Sequence, residues 1–266
     1  MLPGSPKLKS VEYNDGYPML LRHANSRIAI LIGAVILLCA PAGAQTDKAT
    51  TAINDMITAL GGKVFLGVRE IQSSGKIFGF KNDTMSGSDT FVDYVKFPDK
   101  RRTEYGTYRI KPAEIINGDT GWNIDLPKVE PKPLAEAKSL QAGFKTGFQY
   151  VARFILNRPG LVLQHVGTEL LSFRPNDVIE FRDSGNLFRL FVDQQSHLPT
   201  KMEVRRDGET FIREEQFANW HDFQGIKTAL FIIRFKDGDR EREIRFDNVS
   251  YNSGMADSLF APPAAR

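Results

Sequence analysis

The stretch Ile115–Asp125, "IINGDTGWNID", places Asn117, Asp119, Asn123 and Asp125 around Gly118 and Gly121. Oxygen-bearing side chains two apart are the raw material of a calcium loop. Such a loop needs oxygen ligands at positions 1, 3 and 5, Gly at 6 and Glu at 12. Counted from Asn117, these last three positions are Gly121, Trp122 and Lys128. The pattern fails, and Asn117-Gly118 reads instead as a hairpin turn. Past it, Trp122, Ile124 and Leu126 alternate with Asn123 and Asp125, so the strand has one apolar face.

The patterns of other chemistries are missing too. His165, His197 and His221 belong to no H-E-x-x-H pattern, and the one cysteine, Cys39, lies near the N-terminus. His221 sits beside Asp222, but a lone histidine near a strand end is more often a surface residue. No G-x-S-x-G elbow and no glycine-rich phosphate loop is present. Glu214 and Glu215 are adjacent, so on a strand they point to opposite faces. Asp237 and Asp239 flank a turn glycine. No catalytic residue, metal or cofactor is expected, and the chain does not read as an enzyme. Lys100-Arg101-Arg102 could meet phosphates. Lys128, Lys132, Lys138, Lys145 and Arg153 could touch an anionic membrane or partner. A solvated surface is the commoner role for each group.

What is unusual is the phenylalanine load, 19 Phe against 2 Trp and 7 Tyr. A filled core accounts for most of them. A lined apolar cavity is the functional reading, since such a site needs few polar groups and leaves no catalytic signature. Trp122, Phe144, Phe148, Phe188 and Phe246 are the candidate wall, chosen by strand alternation and by a helix stripe.

The elements that must position them alternate in period. Ala49, Ala52, Ile53, Met56, Ile57 and Leu60 form a helical stripe, with Thr46 or Asp47 as cap and Gly61-Gly62 as stop. Period-two stretches follow at 69–80, 88–97 and 100–110, then the hairpin at Asn117-Gly118. "PKVEPKP" (127–133) reads as a break from the sheet. A second helical region, 134–156, carries Leu134, Ala137, Leu140, Phe144, Phe148, Val151 and Ile155 near one face. Gly143 and Gly147 predict a break in it. Strands resume at "DVIEFRD", "LFRLFVD", "KMEVRR" and "REIRFD", with turns at Ser184-Gly185-Asn186, Asp207-Gly208 and Asp237-Gly238. "IKTALFIIRF" (226–235) is apolar on both faces and predicts a central strand covered on both sides. The fold class is α+β: a long curved antiparallel sheet, an N-terminal helix, and a helical insertion closing an apolar concavity.

The apolar run Ile28–Cys39, preceded by Arg22, His23 and Arg27 and followed by Ala42-Gly43-Ala44, reads as a secretory signal peptide over residues 1–44. Cleavage is expected after Ala44, and Met19 is an alternative start. Leu38 before Cys39 does not suit lipidation. Residues 45–266 then form a single cysteine-free domain resting on its hydrophobic core. Of the 35 basic and 32 acidic residues, four and two lie in the leader, so the remainder carries a net charge of +1. No nucleic-acid partner is implied.

Taken together, "VKFPDKRRTEYG" (95–106), "IINGDTGWNID" (115–125), "LFVDQQSHLPTKMEV" (190–204), "HDFQGIKTALFIIRF" (221–235), "DNVSYN" and "DSLFAPP" resemble the LolA/LolB-like family of periplasmic lipoprotein-sorting and lipid-carrier proteins. The motifs mainly encode strands and turns. The resemblance implies a half-barrel sheet closed by helices, with a lipid or lipoprotein acyl chain in the concavity. It also implies a periplasmic location, partners among membrane-associated donor and acceptor proteins, and no catalysis. The other readings are an interaction or sensor module on the same scaffold without transport, and a hydrolase with an unrecognised site, for which the histidines would have to converge with carboxylates.

Overall fold

The structure, a computed structural model, describes residues 42–107 and 111–263. Residues 1–41, with Met19, Cys39 and most of the expected signal peptide, lie outside the described residues. Helix α1 (Ala42–Leu60) buries Ala49, Ala52, Ile53, Met56, Ile57 and Leu60, the stripe that the sequence predicts. Burying each such side chain contributes about 1.5–3 kcal/mol for the larger ones. The helix starts before its expected caps. Thr46 and Asp47 lie inside it, and their carbonyls accept from the hydroxyls of Thr50 and Thr51. Gly61 and Gly62, at φ 124° and 56°, end it and turn the chain into α2 (Gly62–Leu66).

One 13-stranded antiparallel sheet follows. Its first half is β1 (Glu70–Lys81), β2 (Thr84–Lys96), β3 (Lys100–Tyr105), β4 (Ala113–Asn117), β5 (Thr120–Asp125) and β6 (Lys128–Pro131). Its second half is β7 (Leu163–Leu171), β8 (Arg174–Asp183), β9 (Asn186–Asp193), β10 (Pro199–Arg205), β11 (Arg213–Phe223), β12 (Ile226–Lys236) and β13 (Asp239–Tyr251). Within each half sequence neighbours pair, and β1 pairs with β13 to join the halves. The order runs from β6 at one edge to β7 at the other. Register shifts at Ser74/Gly75, Gly79/Phe80, His165/Gly167 and Arg234/Phe235 are the bulges that increase twist and let so long a sheet curl.

Between the edges lies the helical insertion. It comprises α3 (Leu134–Thr146), α4 (Phe148–Tyr150) and a π-helical turn, Val151–Ile155. The break comes at Gly147, whose extended backbone (ψ 151°) no helix tolerates, whereas Gly143 stays helical. Because β6 and β7 are opposite edges, this insertion has to travel from one rim of the sheet to the other.

Four details depart from the sequence expectation. Residues 128–131 do not leave the sheet but form its edge strand, a place where Pro131 costs no ladder bond. β7 and β11 are strands that alternation does not reveal. On β12, Phe231, Ile233 and Phe235 are only half-buried, and the Arg245 guanidinium lies 5.3 Å from the Phe231 ring centroid. Long cationic stems, rather than a second layer, shield that side of the strand. Leu134, placed on the inner stripe by its spacing, is 60% exposed, and Gln141 is buried instead.

Candidate functional site: the helix-covered face of the sheet

The main core forms where one face of the sheet meets the helices. Ile179, Phe181, Phe188, Leu190, Met202, Val204 and Phe217 come from the sheet, and Met56, Leu60, Phe65, Phe148, Val151 and Ile155 from the helices. Pairing fixes which side chains share this face. Val95 of the core stands opposite Arg101, and Arg101 opposite Ile116. The neighbouring pair Ile115–Trp122 therefore points to the other side.

The five aromatic candidates fall into distinct settings. Phe148 is 2% exposed, with its ring centroid 4.9 Å from that of Phe217. Phe188 is fully buried and stacks on Phe181 at 4.9 Å and 7°. Phe144 is half-buried and stacks on Phe97 at 5.7 Å. These three belong to one contiguous core. Phe246 lies outside that core and meets Phe91 edge-on at 5.7 Å. Trp122, on the opposite face, packs with Ala113, Ile115, Ile124 and Val129 in a separate small cluster.

Phe97, Tyr150 and Phe154 are the aromatic partners that spacing alone does not single out. Phe97, at the end of β2, meets Phe144, Tyr150 and Phe154 with centroids 5.2–6.4 Å apart. The helical insertion is thus seated on the sheet through this ring cluster together with the buried Val151 and Ile155 and hydrogen bonds from Phe148 N to Glu215 and from Arg206 to Thr146. Beside them, α3 turns the Gln141 side chain inward, and neither its amide nitrogen nor its oxygen has a hydrogen-bond partner.

Two cations expected at the surface are inside. The Lys132 side chain is 2% exposed and its ammonium bridges Glu136 at 2.7 Å and Glu114 at 3.0 Å, which ties the start of α3 to β4. Arg153, in the π-helical turn, is 6% exposed. Its Nε donates to Phe65 O at 3.0 Å, and Nη1 donates to Gln149 O at 3.0 Å and to Gln149 Oε1. Its guanidinium lies 3.9 Å from the Phe65 ring centroid and 5.8 Å from that of Phe97. Nη2 is buried without a partner. Burial above all, with the like charge of Arg69 adding to it, lowers the Arg153 pKa to about 9, so the group is a cation at neutral pH.

The histidines stand in separate hydrogen-bond settings. His165 Nε2 is 2.7 Å from Asp177 Oδ1, a carboxylate also held by Gln194 and Lys48. His221 meets Asn219 on β11, and His197 occupies the β9–β10 turn at φ 56°. Among the described residues no group of three or more His, Cys, Asp or Glu could hold a metal ion, and no helix is long and apolar enough to cross a membrane. Open clefts mark the surface of the described residues. One of about 490 Å³ runs along Arg158–Val162 and β8, and one of about 240 Å³ lies beside Tyr105 and β4–β6. None of the five aromatic candidates lines either cleft.

No family model matches the chain, and no curated protein matches it. Solved structures do match in fold. A domain classed with outer membrane lipoprotein-sorting proteins, from Vibrio parahaemolyticus, aligns with a TM-score of 0.55 at 14% identity, over 81% of this chain and 97% of its own. A DUF1329 family protein from Desulfovibrio piger gives 0.57 at 11% identity, over 82% and 97%. A LolA superfamily protein from Nitrosomonas europaea gives 0.54 at 12% identity, over 80% and 97%. At these identities the likeness is one of fold: an open, curved antiparallel sheet of the LolA half-barrel type with helices against one face.

Proposed function

We propose that this is an exported, non-catalytic carrier that holds a lipid or lipoprotein acyl chain between the sheet and its helical cover. The observation that carries the reading is the way the cover is seated. Residues 134–155 form a separate layer, interrupted at Gly147, in which Phe144, Phe148, Tyr150 and Phe154 make ring contacts to the sheet beside the buried Val151 and Ile155. A small displacement of such a layer exchanges ring contacts for acyl-chain contacts at little cost in buried apolar area. The proposed wall is Phe144, Phe148 and Phe188, with Phe246 farther along the same face. Trp122, turned to the other face, is given a packing role. The leader expected over residues 1–44 would deliver the protein to the periplasm, where membrane-associated donors and acceptors would load and unload it. The fold neighbours classed with lipoprotein sorting and with the LolA superfamily support this reading.

The test is direct. Protein purified from its native host is extracted with organic solvent and examined for lipid by mass spectrometry, and delipidated protein is titrated with a fluorescent fatty acid. The reading expects saturable uptake. Repeated absence of both lipid and uptake defeats it and favours an interaction module on the same scaffold.

A further inference from the structure

Arg153 is a structural anomaly. A guanidinium removed from water costs several kcal/mol unless a counter-charge meets it. Among the described residues no carboxylate pairs with Arg153, and none pairs with Arg69. Arg69 Nη1 instead caps the end of α2 through Leu66 O and Val68 O, at 2.9 and 3.0 Å. Two like charges thus stand near one another, both directed at the same short helix and both beside the rings that seat the helical insertion, Arg153 near Phe97 and Arg69 near Phe154. The Arg69 guanidinium is 5.8 Å from the Phe154 ring centroid. Carbonyl oxygens and the Phe65 ring offset part of the cost, but they leave Nη2 of Arg153 buried and unpaired. The residue also sits in a π-helical turn, an irregularity that often marks a functional position.

We propose that Arg153, assisted by Arg69, binds the anionic group of an amphiphile, a carboxylate or phosphate whose apolar chain takes the place of the Phe144–Phe97–Phe154 contacts. The exposed Arg69 meets the anion first. Arg153 then holds one of its oxygens through Nη2, the guanidinium nitrogen left free by the bonds of Nε and Nη1. This inference rests on the carrier reading and narrows it from any apolar ligand to one with a charged end.

The experiment measures binding of oleate, oleyl phosphate and uncharged oleyl alcohol to the delipidated protein by calorimetry. At least one anionic chain should bind about tenfold or more tighter than the alcohol, the worth of a charge-assisted hydrogen bond. Which of the two does so identifies the anion. In Arg153→Met, which keeps the apolar stem, that preference should vanish while the alcohol still binds. If Arg153→Met does not fold, Arg69→Met, at an exposed position, should reduce the preference. Equal affinity for anionic and neutral chains in the unaltered protein overturns the inference and leaves the carrier reading standing, as does a preference that survives Arg153→Met. Binding of none of the three overturns both.

Discussion

Glu70 shows how much one side chain can decide. Its Oε2 accepts from the backbone of Gly254 at 2.7 Å and Met255 at 2.9 Å, and its Oε1 is 3.3 Å from the Lys96 ammonium. The bond from Met255 does most to hold its pKa below 4.5. Gly254 and Lys96 add to this, and burial opposes it. A carboxylate with a depressed folded pKa stabilises the protein above its unfolded value, and that contribution is lost as pH falls through the folded value. Thermal melts should therefore show Glu70→Gln destabilised by about 1–3 kcal/mol at pH 7. The gap to the unaltered protein should close below pH 4.5. A gap independent of pH would assign the loss to packing. Residue types such as the phenylalanines were legible in the sequence, but their partners were not. Arg153 read as a surface cation because the Phe65 carbonyl and ring that receive it lie 88 positions away.

Strands became visible where alternation was unbroken, as in β2, β9 and β10. β7 hid because the bulge at Gly167 shifts its phase, and β11 because Asn219, at φ 57°, interrupts its alternation. β6 hid behind Pro127 and Pro131. The bulge in β1 is equally silent in sequence yet tightly built. A Cβ on Gly75 would lie 2.0 Å from Arg245 O, a backbone atom that cannot swing aside. Gly75→Ala should then part β1 from β13 locally and destabilise by about 2 kcal/mol or more, read by urea denaturation. Wild-type stability would show that the strands can separate there without loss.

At the scale of the whole molecule, the long curved antiparallel sheet was legible because a meander with one apolar face must curl and find cover, and the half-barrel form came with the family resemblance. The seam between β1 and β13 was not, since nothing local announces a pairing between the first strand and the last. The central strands β1, β2 and β13 share long ladders, whereas the insertion rests on side-chain contacts with a break at Gly147. Hydrogen exchange should accordingly be faster across 134–155 than across β1, β2 and β13, and an added fatty acid should slow the former selectively. Uniform protection would mean that cover and sheet open only together.

The chain leaves the sheet at β6 and re-enters it at β7, so a single cut in the insertion would separate six consecutive strands from seven. The resulting fragments would share one backbone ladder, β1 against β13, and the core above it. That makes the molecule a natural candidate for fragment complementation. The first half would offer one long edge, β1, beside the short β6, and the second half would meet it with β13, its longest strand. The side-chain core beneath the insertion, built by strands of the second half and by α1, would help decide how firmly they hold.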